Sequence, residues 1–160
     1  MKVTEINTLL DQHLPNAVLQ LIENASPQGL QIKPELLLKV MSFLHSHPDL
    51  YFDSLSCITG MDNGAETDEL EVIYNLYSLP KDIHLMVKVI LEKNYPVVDS
   101  LTGIWRTANW QEREVFDLFG IRFNQHPDLR RILLPADWVG HPLRKDYKEQ
   151  VYYRGIQVKY

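Results

Sequence analysis

The amino-acid sequence predicts an α+β fold: a two-layer domain with a mixed or antiparallel sheet, followed by a helix and an extended C-terminal tail. Apolar residues recur with helical or strand periodicity in the order helix, two strands, helix, three strands. Short turns separate the last three strands, which favours antiparallel pairing. Later in the chain Pro127, Pro135 and Pro142 recur at short intervals, and each removes a backbone hydrogen-bond donor.

The first half of the predicted domain contains two helices and two strands. The predicted elements are a helix over residues 4–14, strands over residues 17–24 and 30–33, and a second helix that begins at Pro34 and ends near residues 45–48. Ile6 and Leu10 recur at the spacing of one helical face, and so do Leu37 and Met41. Pro15 ends the first helix, because a proline inside a helix removes a hydrogen bond and clashes with the preceding turn.

Three longer strands follow, over residues 50–62, 70–79 and 83–91. The first two are joined by the polar sequence DNGAETDE and the last two by LPKD, both typical of turns. The third strand is almost entirely apolar, so we expect it to be buried. We therefore predict one sheet with two helices packed on one of its faces.

A third helix is predicted from Trp110 to Phe119. Asn109, with Glu112 three residues later, resembles a capping box at its start. Gly120 suits the left-handed residue that often ends a helix. Residues 1–123 are therefore predicted to form the α+β domain, and residues 124–160 an extended tail that docks onto a partner.

Charge is distributed unevenly along the chain. The net charge is −5, but residues 1–104 carry 6 basic and 14 acidic side chains, whereas residues 105–160 carry 10 and 7. This asymmetry indicates a docking surface near the C-terminus. The single cysteine, Cys57, excludes an internal disulfide and the cysteine sets of zinc ribbons or iron–sulfur clusters. It favours a reducing compartment, and no apolar run approaches the roughly 20 residues of a membrane span.

Familiar cofactor-binding and catalytic motifs are missing from the sequence. The seven glycines form neither a GxGxxG motif nor a P-loop, and there is no GxSxG elbow. His45 and His47 stand two residues apart, a spacing at which they would not share a helical face. His126 and His141 each precede a proline, which is typical of a histidine that makes hydrogen bonds in a turn.

Three acidic residues, Glu112, Glu114 and Asp117, leave alternatives open. They could serve as the acid and base of a stand-alone hydrolase, or they could form a solvated charged face. The apolar residues around them argue against full exposure, and buried carboxylates need partners. The cations near them in sequence are Arg113, Arg122, Arg130 and Arg131.

The C-terminal segment is enriched in the residues that anchor protein interfaces, namely arginine, tryptophan and tyrosine. Nucleic-acid binding is the competing interpretation, because arginines stand beside aromatic residues in this segment. Asp128, Asp137 and Asp146 alternate with the basic residues, however, and this alternation suits contacts between proteins better than tracking of phosphates. We therefore expect a protein interface, no nucleic acid, and counter-charges for the tail on a neighbouring chain.

Residues 105–147 strongly resemble the signature of the thirty-kilodalton subunit, or C subunit, of the proton-pumping NADH:quinone oxidoreductase, respiratory complex I. The residues that carry the resemblance and are assigned to the partner interface are Glu112, Arg113, Glu114, Asp117, Gly120, His126, Pro127, Arg130, Arg131, Trp138, Pro142, Arg144, Lys145 and Asp146.

The resemblance implies a non-catalytic member of the hydrophilic arm, which scaffolds the quinone-reducing D and B subunits at the cytoplasmic face of the bacterial inner membrane. It also implies that this chain binds no cofactor, while flavin, iron–sulfur clusters and quinone belong to partner subunits. Related complexes that use ferredoxin, coenzyme F420 or a hydrogenase contain equivalent subunits, so the electron donor stays open.

Overall fold

Helices and a mixed β-sheet form the core of the computed structural model, which describes residues 1–64 and 66–159. The elements, in chain order, are α1 (Val3–His13), β1 (Val18–Ile22), β2 (Gly29–Ile32), α2 (Leu37–Ser46), β3 (Ser54–Asp62), β4 (Glu69–Ser78), β5 (Ile83–Glu92), β6 (Val97–Asp99), α3 (Ala108–Phe119), β7 (Arg122–Asn124), β8 (Tyr152–Tyr153) and β9 (Ile156–Gln157). A short 3-10 turn, Pro34–Leu36, leads into α2. The predicted α+β order is confirmed.

The five-stranded sheet has the strand order β1-β2-β5-β4-β3. The β1–β2, β5–β4 and β4–β3 pairs are antiparallel, whereas β2 runs parallel to β5. The sheet is therefore mixed, and β3 forms one of its edges.

One face of the sheet carries the apolar core. Along β4 the side chains of Val72, Tyr74 and Leu76 are buried, and Val87 of β5 lies directly opposite Tyr74. Strand side chains alternate between the two faces, so these residues share one side of the sheet. Leu10 of α1 belongs to the same cluster of buried residues, as do the apolar residues of α2.

Helix α3 packs closely against β3. A Cβ atom added to Gly60 would lie 2.6 Å from Phe119 Cδ2 and 3.0 Å from Val115 Cγ1, so the glycine permits this approach. The helix begins at Ala108 with Thr107 at its N-cap, which places Asn109 inside the first turn. The predicted Asn109–Glu112 capping box is therefore wrong. Gly120, in contrast, ends the helix in the left-handed conformation, with φ of 76°.

Two short strand pairings were not predicted from the sequence. Strand β6 pairs in parallel with β7, and β8 pairs with β9 in a small hairpin. Beyond Asn124 the described residues contain no helix, and the chain continues mainly through turns and bends. In the ranges that the structure describes, none of the helices is both long enough and apolar enough to cross a membrane.

Candidate protein interface

Asp117 is the centre of the segment that follows α3. Its side chain is fully buried. Oδ2 accepts backbone N–H groups from Ile132 at 3.0 Å, Leu133 at 2.8 Å and Leu134 at 2.9 Å. Burial alone would raise the pKa of Asp117, but these hydrogen bonds and the one from Arg131 outweigh it and hold the pKa below its ordinary value. Asp117 is therefore an ionised carboxylate around which the following chain is folded.

Arg131 closes the same structure from the other side. Its Nη1 lies 2.7 Å from Asp117 Oδ1, and Nη2 donates to the carbonyl oxygens of Trp138 and Gly140 at 3.0 and 2.8 Å. His141 Nδ1 lies 2.9 Å from the Asp117 carbonyl oxygen. One guanidinium thus joins α3 to two points further along the chain. We call residues 126–147, which are held in this way, the clasp.

The start of the clasp is fixed by Arg113 and His126. Arg113 Nε donates to the Arg130 carbonyl oxygen at 3.1 Å, and its guanidinium lies 5.6 Å from the centre of the Trp110 ring. His126 Nδ1 accepts the N–H of Asp128 at 3.0 Å, so Nε2 carries the ring proton when the ring is neutral. That Nε2 lies 3.0 Å from the Asn109 carbonyl oxygen, its acceptor on α3.

The end of the clasp meets the sheet at Asp62, the last residue of β3. Asp62 Oδ2 lies 2.9 Å from Lys93 Nζ and accepts the backbone N–H of Lys145, also at 2.9 Å. Arg144 forms a two-point pair with Asp146 at 3.1 and 3.2 Å. Sequence reasoning missed Asp62 and Lys93, because neither belongs to a local motif. The two lie 31 positions apart, and Lys145 follows Asp62 by 83 positions.

Gly120 and Trp138 show how tightly the clasp is packed. A Cβ atom added to Gly120 would lie 2.6 Å from His141 Cδ2, so a side chain at this position would collide with the clasp. Trp138 Nε1 donates to the Tyr147 hydroxyl at 3.1 Å, while Gly140 leaves room for the Tyr147 ring. Both glycines have positive φ, which a glycine adopts without strain.

Glu112 faces the interior rather than the clasp. It is fully buried, and it accepts the Leu101 N–H and the Ser100 hydroxyl, each at 2.7 Å. Burial raises the pKa of Glu112 to about 7. Tyr74, whose pKa is raised by burial and by the Glu112 charge, has a buried hydroxyl without a hydrogen-bond partner among the described residues.

The three acidic side chains considered as an acid–base set are not brought together. Glu112 is bound to the loop before α3, Asp117 to the clasp, and Glu114 is exposed at the surface. A hydrolytic site needs two carboxylates that face one reacting atom. Among the residues that the structure describes, no group of three histidine, cysteine or acidic side chains is arranged to hold a metal ion.

Counter-charges for the clasp come from its own chain. Arg131 pairs with Asp117, and Arg144 pairs with Asp146. Arg130 likewise lies 2.9 Å from Asp128. The expectation that a neighbouring chain supplies these counter-charges is therefore wrong for all three arginines.

Large apolar side chains are nevertheless left exposed on the clasp. Leu133, Val139 and Leu143 are 61%, 72% and 50% exposed, and Trp110 of α3 is 67% exposed. Exposed apolar side chains mark an interaction site where they form one contiguous patch. Of the motif residues on α3, Arg113 and Asp117 hold the clasp, whereas Glu112 faces the core and Glu114 is exposed. Apolar side chains of the clasp are left at the surface.

Comparisons with known proteins agree with the motif. Residues 30–153 match the family model of the respiratory-chain NADH dehydrogenase 30 kDa subunit. The NADH-quinone oxidoreductase C subunit of a Roseiflexus species is 43% identical over 133 residues, covering 83% of this chain and 76% of that protein. The corresponding protein of Chloroherpeton thalassium is 48% identical over 119 residues, covering 74% of this chain and 49% of that protein.

Two solved structures are similar. The trypsin-resistant fragment of Nqo5 matches with a TM-score of 0.56 and 31% identity, over 64% of this chain and 82% of that one. A chain of the archaeal membrane-bound sulfane sulfur reductase, a respiratory membrane complex, matches with a TM-score of 0.74 over 91% of this chain and 85% of that one, and its 20% identity shows a shared fold alone. From the match over residues 30–153, the chain belongs to the family of the respiratory-chain NADH dehydrogenase 30 kDa subunit, as the motif of residues 112–146 predicts.

Proposed function

We propose that this chain is a non-catalytic subunit of a proton-translocating NADH:quinone oxidoreductase. Its place is the hydrophilic arm, at the cytoplasmic face of the bacterial inner membrane, where it scaffolds the quinone-reducing D and B subunits. The observation that carries the proposal is the clasp, which holds exposed apolar side chains on a backbone fixed by Asp117 and Arg131.

A preformed surface of this kind suits stable assembly. Binding costs free energy for every side chain and loop that has to be ordered. A loop that is already fixed therefore loses less conformational entropy when it binds. The exposed Leu133 and Val139, together with Trp110, are the types of side chain that a partner can bury. Arg131, being occupied within the chain, acts on the surface indirectly by fixing its shape.

Cofactors belong, in this proposal, to the partner subunits. Flavin, iron–sulfur clusters and quinone would be bound there, and this chain would bind none of them. The single cysteine, Cys57, supports this division for the clusters, because sets of cysteine thiolates hold iron–sulfur clusters. Membrane association is then indirect, through the assembled complex.

The test is affinity purification of the tagged full chain from detergent-solubilised membranes of its own organism. We expect homologues of the D and B subunits to co-purify in equal amounts, with NADH-dependent quinone reduction by the purified material. Recovery of the chain without D and B homologues would contradict the proposal. Quinone reduction with reduced ferredoxin or coenzyme F420, and none with NADH, would keep the scaffold role and replace the electron donor.

A further inference from the structure

Strand β3 is an open edge of the five-stranded sheet. It pairs with β4 alone. Apart from the ladder with β4, no hydrogen bond among the described residues reaches the β3 backbone between Ser56 and Met61. An antiparallel ladder leaves every second residue of an edge strand with its N–H and C=O directed away from the partner strand. Residues 56–61 therefore present a row of free backbone donors and acceptors.

The sequence devices that often protect an edge strand are missing along this stretch, and helix α3 covers it only where Val115 and Phe119 pack on Gly60. Proteins block exposed edges with proline, lysine, inward charges or bulges. The sequence of residues 56–61, SCITGM, contains no proline and no charged residue. One register shift occurs between Leu55 and Cys57, at the beginning of the stretch, and the pairing with β4 is regular from Cys57 to Asp62.

An apolar groove lies beside this edge. It has a volume of about 170 Å³ and is lined by Ile58 and Gly60 of β3, Val115 and Leu118 of α3, and Leu143 of the clasp. Small-molecule sites usually enclose about 300–1,000 Å³, so this groove is suited to a side chain rather than to a whole ligand. A strand edge next to an apolar pocket is the arrangement by which protein domains bind extended peptides.

The charge at the edge of the groove indicates the charge of such a peptide. Glu114 lines the groove and is exposed, and none of the ion pairs among the described residues involves it. A lysine or arginine on the incoming segment would complement this carboxylate.

We propose that β3 and this groove bind an extended segment of another protein chain, which adds a strand at residues 56–61. The segment places an aliphatic side chain in the groove against Leu143 and a lysine or arginine beside Glu114. This inference goes beyond the proposed function, because it adds a second binding mode at the edge of the sheet, and it rests on that function in taking the partner from the same complex. The groove is continuous with the clasp surface through Leu143, which is half exposed.

Hydrogen exchange tests the added strand directly. Amide exchange is measured by mass spectrometry on peptides covering residues 56–61, in the purified free chain and in the purified complex. We expect about tenfold slower exchange in the complex, since a partner strand would engage the outward amides. The peptide covering the β4–β5 turn, residues 79–82, serves as the internal comparison. Equal rates for residues 56–61 in both samples would overturn the inference.

Cross-linking identifies the occupant. A photoreactive benzoylphenylalanine replaces Leu143 at the groove, and in a control chain it replaces Leu79, which is 69% exposed in the β4–β5 turn. We expect Leu143-specific cross-links to a peptide of another subunit in which an aliphatic residue lies near a lysine or arginine. Cross-links to a second copy of this chain, to an acidic segment, or to no chain would each overturn the inference.

Charge reversal tests the rim. Glu114→Lys should weaken retention of the chain in the complex at 0.3 M salt, and Glu114→Gln should weaken it less, whereas the exposed Glu149→Lys should leave it unchanged. Equal retention of all three variants would contradict the assigned role of Glu114. If the chain enters the complex but exchange at β3 is unaltered, this inference fails and the proposed function stands. If the chain enters no complex, both fail.

Discussion

The Asp117 carboxylate lies 2.7 Å from the guanidinium of Arg131, and its second oxygen accepts the N–H groups of the three residues that follow Arg131. One buried side chain of α3 thereby fixes a loop that begins fourteen positions later. The stability of the clasp should depend on this single contact more than on any exposed ion pair of the same segment.

Replacement of Asp117 by alanine should therefore strongly destabilise the chain. Breaking a buried ion pair by removing one partner costs about 3–5 kcal/mol, and three N–H groups would also lose their acceptor. Urea denaturation of the free chain measures the change. The matched control is Asp137→Ala, whose pair with Arg154 is exposed on both sides and should contribute little. Similar stabilities of the two variants would contradict the central role of Asp117.

Substitution of the buried Asp62 should likewise cost more stability than substitution of Arg144. Asp62 is buried and bound to both Lys93 Nζ and the Lys145 N–H, whereas Arg144 pairs with the half-exposed Asp146. We expect Asp62→Ala to lower the free energy of unfolding by about 3 kcal/mol and Arg144→Ala by at most about 1 kcal/mol. Denaturant titration of both variants gives the order, and an inverted order would refute it.

Glu112 should make the chain less stable as the pH rises from about 5 to 7.5. Burial raises its pKa to about 7 from the ordinary 4.5, so in this window the folded state binds more protons than the unfolded state. The sign is thus a loss of stability on titration from acid to neutral pH, with a total of about 3.5 kcal/mol at most, from ~1.4 kcal/mol per pKa unit.

The measurement is denaturant unfolding at several pH values for the wild-type chain and for Glu112→Gln. The amide can accept the Leu101 N–H and donate to Ser100, so the variant should fold and should lose this slope. Asp62 and Asp117 have lowered pKa values, so they change the free energy of unfolding only below about pH 4. Their effect has the opposite sign, because the folded state loses stability there as the pH falls. Parallel pH profiles of the two proteins would contradict the assignment.

Leu133 and Val139 should matter for assembly and not for folding. Both are more than half exposed, so a Leu133→Asp, Val139→Asp double variant should keep its free energy of unfolding within about 1 kcal/mol. Its co-purification with the complex should fall several-fold, because a carboxylate at an interface must be desolvated. Leu79→Asp, equally exposed but in the β4–β5 turn, is the control. Full retention of the double variant would place the partner on another surface.

Gly60→Ala should destabilise the packing of α3 on β3. The new methyl group would lie 2.6 Å from the Phe119 ring, and overpacking of this kind costs about 1–3 kcal/mol. Gly103→Ala is the control, since nothing lies within 4 Å of its added Cβ atom. Thermal unfolding should give a lower midpoint for Gly60→Ala than for Gly103→Ala. Equal midpoints would show that α3 does not pack on β3 in solution.

Periodicity in the sequence was enough to predict the helices and the longer strands, because each buries one apolar face. It was not enough for β6 and β7, whose three residues are too few to show a period. The capping box at Asn109 failed because α3 begins two residues earlier than predicted, and Glu112 instead reaches back to Leu101. A local motif gives no indication of a competing partner eleven residues away.

The candidate interface, too, could be predicted from the sequence only in part. The assignment of the motif residues to a partner interface stays a prediction, whereas the pairing of Asp117 with an arginine was among the expected options. The motif could not predict that this arginine would be Arg131, because a contact fourteen residues apart depends on the path of the loop. Charge alone therefore indicated a docking surface whose ionic groups, once folded, support the loop itself.

The parallel alignment of β2 with β5 has a consequence for how the chain acquires its shape during synthesis. Residues 29–31 pair with residues 86–88, so the β1–β2 hairpin can join the sheet only after residues 86–88 have left the ribosome. Until then the apolar side chains of α1 and β2 that are buried in the folded chain lack their packing partners on β5. Pairings between distant segments form slowly, and this early interval is the stage at which a nascent chain of this kind is most exposed to aggregation.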